Sequence, residues 1–376
     1  MKRFITNTSG SVLIVTLWIL AILAVYSVSL GRRSHQELSL VKRSLDQLKA
    51  RYLAWGGVVY SIAQITRDSQ DEEQKSKDDL YRCAVALKDN ETPAEIFAPV
   101  RLSDGYFEVG YLTPEFSSGS ASPEFTSPAA SFGQDAGEAP AHPGFSDEDR
   151  KINLNALNAA NSPIFRELLL LLGADSYTAD VIAAASVDWH DADSEVSLGN
   201  LGEEGRVYES LKRPYKCKNR PFDQVEELLL VKGMTPELFA RVREFVTVFP
   251  KDGAQFLING STASPLVLRS LARSVTGLPT NTDLADADSL VRKLVVFRAG
   301  PDGREATADD RGLDPENIPL TARERAVYLT MARYMTGVSQ FVRVRIRGVE
   351  GKGKVSCRID SVIDRRKLSV VSWNRS

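Results

Sequence analysis

Hydrophobic and polar positions divide this chain into stretches of contrasting pattern. From Ser11 to Leu30 no residue is charged and most are apolar; Lys2 and Arg3 precede the run, and Arg32 and Arg33 close it. About 20 such residues at 1.5 Å rise cover roughly 30 Å, the thickness of a bilayer core, which predicts a membrane-crossing helix. An uncleaved anchor is the plainest reading, because the run is too long for a cleaved secretory signal and no small-x-small site follows it. Beyond it, apolar residues recur at Leu38, Val41, Leu45, Leu48, Tyr52, Trp55, Val59 and Ile62 in steps of three and four. That period predicts one helix continuing as an amphipathic rod to near Arg67.

The pattern then changes. Asp68 to Asp79 is a mixed-charge run that reads as a solvated connection. GYFEVGYL (Gly105 to Leu112) alternates like a strand. From Thr113 to Ser146, 22 of 34 residues are Gly, Pro, Ser or Ala, with no Val, Ile or Leu. So little apolar area cannot order a chain, which predicts a flexible linker and a domain boundary. Ile164 to Gly173, Thr178 to Ala185, Val225 to Lys232 and Pro236 to Val248 read as short helices, with Pro163 and Pro236 where first turns begin. Within them, VEELLLVKGMTPELFARV (Val225 to Val242) has the look of a helix-hairpin-helix turning at Gly233. An internal echo joins INLNALNAANSPIFRELL (Ile152 to Leu169) to FLINGSTASPLVLRSL (Phe256 to Leu271). Near the end, FVRVRIR (Phe341 to Arg347) alternates strictly, and Lys354 to Arg365 and Leu368 to Trp373 follow after short breaks. Three such strands predict an antiparallel meander. A meander packed on the amphipathic half of the rod gives an α+β fold, with the helical region inserted into it.

Composition narrows the chemistry. A formal net charge of −2 provides no general attraction to nucleic acid or anionic lipid. Cys83, Cys217 and Cys357 show no CxxC spacing, and the three histidines are scattered, which argues against zinc and against a Cys/His catalytic pair; a single disulfide with one thiol left over stays open. No GxSxG, P-loop, HExxH or dinucleotide fingerprint occurs, so no enzyme activity and no small-molecule substrate are expected. Carboxylates concentrate at Asp188, Asp191, Asp193 and Glu195, with Glu203 and Glu204 after them in a Gly-containing loop. Closely spaced hard oxygen donors suit calcium, which takes 6–8 of them at about 2.4 Å; a capped helix end with a solvated loop is the alternative. GPDGREATADDRG (Gly300 to Gly312) places Asp302, Asp309 and Asp310 in a second such loop, with a surface turn as its alternative. A hairpin turn can also hold a DNA phosphate through its amides, but Arg150 to Pro250 is net acidic, so nucleic acid is not expected.

The leader ending in Gly10 directly before an intact apolar run has the layout of a type IV prepilin site, which places cleavage between Gly10 and Ser11. RKINLNALN, VDWHDADSE, GEEGRVY, RPFDQVEELLLVKGM and FLINGSTAS occur in order. They resemble the NLN, DWxDxD, GAExxxY, NxPFxxxEELxxVKGM and INxNTA elements of GspK-type minor pseudopilins of the bacterial type II secretion system. The resemblance implies a type IV pilin-like fold with a large SAM-like, hairpin-type helical insertion. It divides the chain into a leader (1–10), a rod (11–67), a first part of the pilin-like domain (68–112), a linker (113–146), the insertion (147–298) and a C-terminal sheet (299–376). It also implies a single pass through the inner membrane with the soluble part in the periplasm, and a place at the pseudopilus tip. The partners it implies are GspI- and GspJ-type minor pseudopilins, the major pseudopilin and a prepilin peptidase. Calcium in the insertion is implied as well, with Glu204 at the matching position of GAExxxY. The sequence departs from the family pattern at Ser11, Val196, Glu203, Cys217 and Ser261, and carries Val15 where most pilins have Glu.

Overall fold

In the computed structural model, residues 9–71, 78–88, 91–111, 142–192, 195–196, 201–203, 205–253, 255–276, 282–351 and 353–375 are described. The rod is a single helix, α1 (Ser9–Ser69), about 90 Å long. Its second half lies across a seven-stranded antiparallel sheet. The sheet comprises β1 (Val100–Leu102), β2 (Gly105–Tyr111), β3 (His142–Pro143) and β4 (Ser146–Asp147) with three late strands, while a one-turn α2 (Pro93–Ile96) precedes β1. The late strands are β9 (Phe341–Glu350), β10 (Ser356–Asp364) and β11 (Ser369–Arg375), in the order β1-β2-β9-β10-β11, with β3 beside β2 and β4 beside β9. The predicted meander is present. Val342, Val344 and Ile346 are fully buried beneath α1, with Ile346 opposite both Val109 and Ile359.

The orientation of the rod departs from expectation. Leu38, Val41, Leu45, Tyr52, Trp55 and Val59, the stripe that sequence periodicity points to the sheet, are instead exposed. The buried face is Ala50, Ala54, Gly57, Val58, Ser61 and Ile65. The reason is distance. A Cβ on Gly348 of β9 would lie 2.3 Å from the Ala50 carbonyl oxygen, and one on Gly57 would lie 2.4 Å from Ile346 Cγ2. Helix and strand meet almost backbone to backbone, which only small side chains allow.

Between β4 and β9 the chain builds a helical domain. It contains β5 (Ile152–Asn153), α3 (Ser162–Leu171), α4 (Ser176–His190), α5 (Arg206–Glu209), α6 (Pro236–Val242), β6 (Val246–Thr247), β7 (Ile258–Asn259), α7 (Pro265–Ser274), α8 (Leu284–Arg298), α9 (Ala322–Met331) and β8 (Met335–Thr336). The echo in the sequence is a structural duplication. The strands β5 and β7 each pair in parallel with a two-residue strand, and α3 packs on α7. Arg166 of α3 bonds Asp180 of α4, while Arg269 of α7 bonds Asp288 of α8 at 2.5–2.6 Å. Burial alone would raise the Asp288 carboxyl; Arg273 and Arg269 outweigh it and bring it down to about 2.

Three other expectations shift. Val225–Leu230 is a 3-10 turn, not an α-helix, so the hairpin motif has one true helix, α6, after the left-handed Gly233 (φ +87°). Ile318, Val327, Tyr328 and Met331 join the helical core, so the helical domain runs well past residue 298 before the sheet resumes. Most of the expected linker lies outside the described residues, but His142–Pro143 and Ser146–Asp147 within or bordering it are strands of the sheet. All three cysteines are free thiols.

Candidate functional site

Among the described residues, α1 is the one helix long and apolar enough to cross a membrane, with a mean hydropathy of 2.5 over its most apolar window. From Val12 to Leu30 its large apolar side chains are more than half exposed, as a lipid-facing segment requires. Gly10 and Ser11 fall in the first turn of this continuous helix, and no acidic residue occurs in α1 before Glu37. The N-terminal segment thus has the length and apolar surface of a single-pass anchor, and it leads into an α+β body.

The first acidic loop starts at the end of α4. Asp188 is fully buried in the last helical turn, close enough to Gly202 that a Cβ there would stand 1.9 Å from Oδ2. A helix C-terminus carries partial negative charge, so a buried carboxylate at that point suits a cation beside it. Asp191 caps the helix, its N–H donating to the Val187 carbonyl at 3.1 Å, and Glu195 is exposed. Asp193 and Glu204 lie outside the described residues. Glu203 is engaged elsewhere: it accepts from the amides of Gly205 and Val207 at the start of α5 and approaches Lys232 at 3.4 Å. The oxygen donors in place fit a hard cation such as calcium in chemical type.

The second loop follows α8, in the place that the first occupies after α4. Its carboxylates brace the loop itself. Asp302 accepts from the Arg304 amide at 2.7 Å, Asp309 from the Asp302 amide at 3.0 Å and the Thr307 hydroxyl at 2.8 Å, and Asp310 from the Ala306 amide at 2.8 Å. Burial, with Asp79 and Glu305 nearby, pushes Asp310 up to about 6. Among the described residues no group of three or more His, Cys, Asp or Glu side chains is arranged to hold a metal ion.

A third acidic centre has no counterpart in the sequence pattern. Where α1 ends, Asp68, Asp78, Asp147 and Asp149 are all buried around Arg365. Arg365 donates to Asp78 at 2.6 Å and also to Asp68. Asp78 accepts the Ser339 amide at 2.6 Å, Asp147 accepts the Thr262 hydroxyl, and Asp149 accepts the amides of Gln340 and Phe341. Burial raises both Asp147 and Asp149, and the charge on Asp147 raises Asp149 further. Next to them Glu148 is held down at about 2, because Lys151 and Arg343 outweigh its burial. This centre rivets the rod, the sheet and the helical domain at one point. Asp68 and Asp78 come from the mixed-charge run expected to be a solvated connection; they are buried instead, because Arg365 and backbone amides take up their oxygens.

Residues 150–251 match the family model for the type II secretion system (T2SS), protein K. The chain is 32% identical to the type II secretion system protein K of Pectobacterium carotovorum subsp. carotovorum over 36% of its own length and 44% of that protein's. It is 24% identical to that of Klebsiella pneumoniae over 66% of its own length and 65% of that protein's. These relatives are thus matched over less than two thirds of their length. In three dimensions the chain is similar to one from the crystal structure of the GspK-GspI-GspJ complex of the enterotoxigenic Escherichia coli Type 2 Secretion System. That likeness has a TM-score of 0.57 at 16% identity and covers 89% of this chain and 99% of that one. Residues 150–251 therefore carry the sequence pattern of the type II secretion system protein K model, within a chain whose fold is similar to that solved one.

Proposed function

We propose that the chain is a minor pseudopilin of a type II secretion apparatus, anchored in the inner membrane by the first part of α1 with its soluble part in the periplasm. The observation that carries this reading is a rod-on-sheet fold joined, in one chain, to a helical domain that matches the protein K model. Its role is assembly rather than catalysis. A prepilin peptidase cutting between Gly10 and Ser11 removes the basic leader and leaves the apolar rod intact. Rods bundled in a fibre bury their N-terminal amines, and burying an unpaired charge costs several kcal/mol. Val15 offers no carboxylate to a neighbour's amine, so the chain suits the fibre's end, where no such amine needs a partner. The bulky helical domain suits the same place.

Co-expression of the full chain with the GspI- and GspJ-type pseudopilins and the prepilin peptidase of its own organism tests this. The expected result is a stable complex containing this chain, with an N-terminus starting at Ser11. A chain that purifies alone with Met1 intact overturns the reading, and immunogold label spaced along the shaft overturns the terminal position.

The same proposal includes a structural calcium ion held by oxygens of Asp188, Asp191, Asp193, Glu195 and Glu204, bracing the loop after α4. Binding only the folded state, at a hundredfold excess over Kd, adds about 2.7 kcal/mol. Chelation is therefore expected to lower the melting temperature by several degrees in the wild type and not in Asp191→Ala/Asp193→Ala. An equal shift in both overturns it.

A further inference from the structure

The helical domain carries a basic ridge whose cations, among the described residues, form no ion pair with the rod, the sheet or the acidic loops, Lys218 pairing only with Asp223 and Glu227. Five of the nine residues from Lys212 to Arg220 are Lys or Arg, in a chain whose net charge is −2. Lys218 is neutralised by Asp223 at 2.9 Å and Glu227 at 2.7 Å. The other four, Lys212, Arg213, Lys216 and Arg220, are exposed and make no ion pair among the described residues. The segment that bears them is extended and held from beneath. Tyr215 stacks on Tyr208 at 5.2 Å and donates its hydroxyl to the Leu230 carbonyl at 2.7 Å. The Cys217 thiol donates to the Asp188 carbonyl at 3.5 Å, and the Phe222 amide donates to Asn155 at 2.6 Å. Residues 229 and 230 sit beside this anchored strip, and both leucines stay more than 40% exposed. Four exposed cations without an ion pair among the described residues, on a strip bonded to the domain beneath it and with two leucines at its side, present a surface complementary to acid and apolar groups together.

We propose that the ridge Lys212–Arg220, with Leu229 and Leu230, is a docking surface for an acidic polypeptide segment that carries leucine-sized side chains. Nucleic acid is disfavoured because the nearby aromatic rings are turned inward onto one another and offer no face for bases. A membrane surface is disfavoured because no Trp or Phe stands out from the strip to anchor it. A polypeptide can pair each cation and fill the apolar gap in one contact. Exposed cations act over about 8 Å at physiological ionic strength, so the ridge also steers an acidic partner as it approaches.

The test uses the full chain in nanodiscs of zwitterionic lipid and a fluorescent 12-residue peptide of alternating Glu and Leu, read by anisotropy. The wild type is expected to bind, and Lys212→Glu/Lys216→Glu to weaken binding at least tenfold, with a smaller loss at high salt. Arg101→Glu/Arg333→Glu, which changes the net charge equally at exposed sites elsewhere, is expected to change it less than twofold. Leu229→Ser/Leu230→Ser is expected to weaken it at least threefold with the melting temperature unmoved. Equal losses in the two charge-reversal variants, or a Lys212→Glu/Lys216→Glu variant that binds like the wild type, overturn the proposal. Tighter binding of duplex DNA or of phosphatidylglycerol vesicles than of the peptide also overturns it.

Discussion

The two faces of α1 obey different rules. The inner face, from Ala50 to Ile65, is made of alanine, glycine, serine and two β-branched residues, Val58 and Ile65, all buried where the rod meets the sheet. The outer face, from Leu38 to Val59, carries Leu, Val, Tyr and Trp side chains, most more than half exposed. In an ordinary domain the large apolar residues would face the sheet and the small ones the water. Here backbone contact sets the spacing on the inside, so bulk is pushed outward. An apolar row about 30 Å long is far more than a lone soluble domain leaves bare, and it marks a surface meant for neighbours. This fits the proposed assembly role.

Breaking the inner face has the largest expected effect. In Gly348→Val the new side chain meets the backbone of Ala50 and Ala54 at 2.3 and 2.4 Å, and neither can swing aside. Overpacking costs typically 1–3 kcal/mol, and this site belongs at the top of that range. The melting temperature of the detergent-solubilised chain should fall sharply, while Gly31→Ala, with nothing within 4 Å, should leave it nearly unchanged. If both behave alike, the close approach is not what sets the face.

The inner face ends at Asp68, in the buried carboxylate centre, and pH sharpens the comparison there. Because burial raises Asp147 and Asp149, the folded state holds protons more tightly than the unfolded state. Their contribution is complete below the ordinary carboxylate range and is lost as pH climbs through the raised range. A tenfold difference in proton affinity between the two states is worth about 1.4 kcal/mol. The melting temperature should decline from pH 5 to pH 9, and Asp149→Asn should flatten the decline. A wild-type midpoint that rises with pH over this window refutes the assignment.

The smallest effect on the isolated chain belongs to the outer face. Leu45→Ser/Tyr52→Ser should move its stability by no more than about 0.5 kcal/mol per site, as exposed substitutions do. The same change should weaken co-purification with pseudopilin partners. Destabilisation of several kcal/mol, with association unaffected, would mean that the outer row serves the chain's own fold.

The rod and the late strands were legible because each repeats a strong period: an uncharged run followed by a 3.6-residue stripe, and strict alternation in FVRVRIR. The side on which the rod packs was not legible. Ala50, Ala54, Gly57 and Ser61 have little hydropathy, so the larger residues opposite them dominate any sequence pattern. The helix α9 was missed because its apolar positions are few, and Val225–Leu230 looked α-helical because a 3-10 turn shares most of that spacing. Of the two acidic loops, the sequence located both but could not tell that Asp302, Asp309 and Asp310 spend their oxygens on nearby amides and a hydroxyl. The carboxylate centre around Arg365 draws Asp68, Asp78, Asp147 and Asp149 from separate segments, a convergence that only folding creates.

The strand β4 pairs with β9, with Asp147 opposite Val342. The chain thus leaves the sheet and rejoins it at adjacent points, a strand spacing of about 4.8 Å apart. Everything from 148 to 340 is, in effect, a cassette clipped into one seam. Closing such a loop costs only about 0.6 kcal/mol more for each doubling of its length, so the sheet is nearly indifferent to the size of what the seam carries. A lineage could enlarge, trim or exchange the inserted domain without redrawing the rod and sheet, and the two could change at different rates.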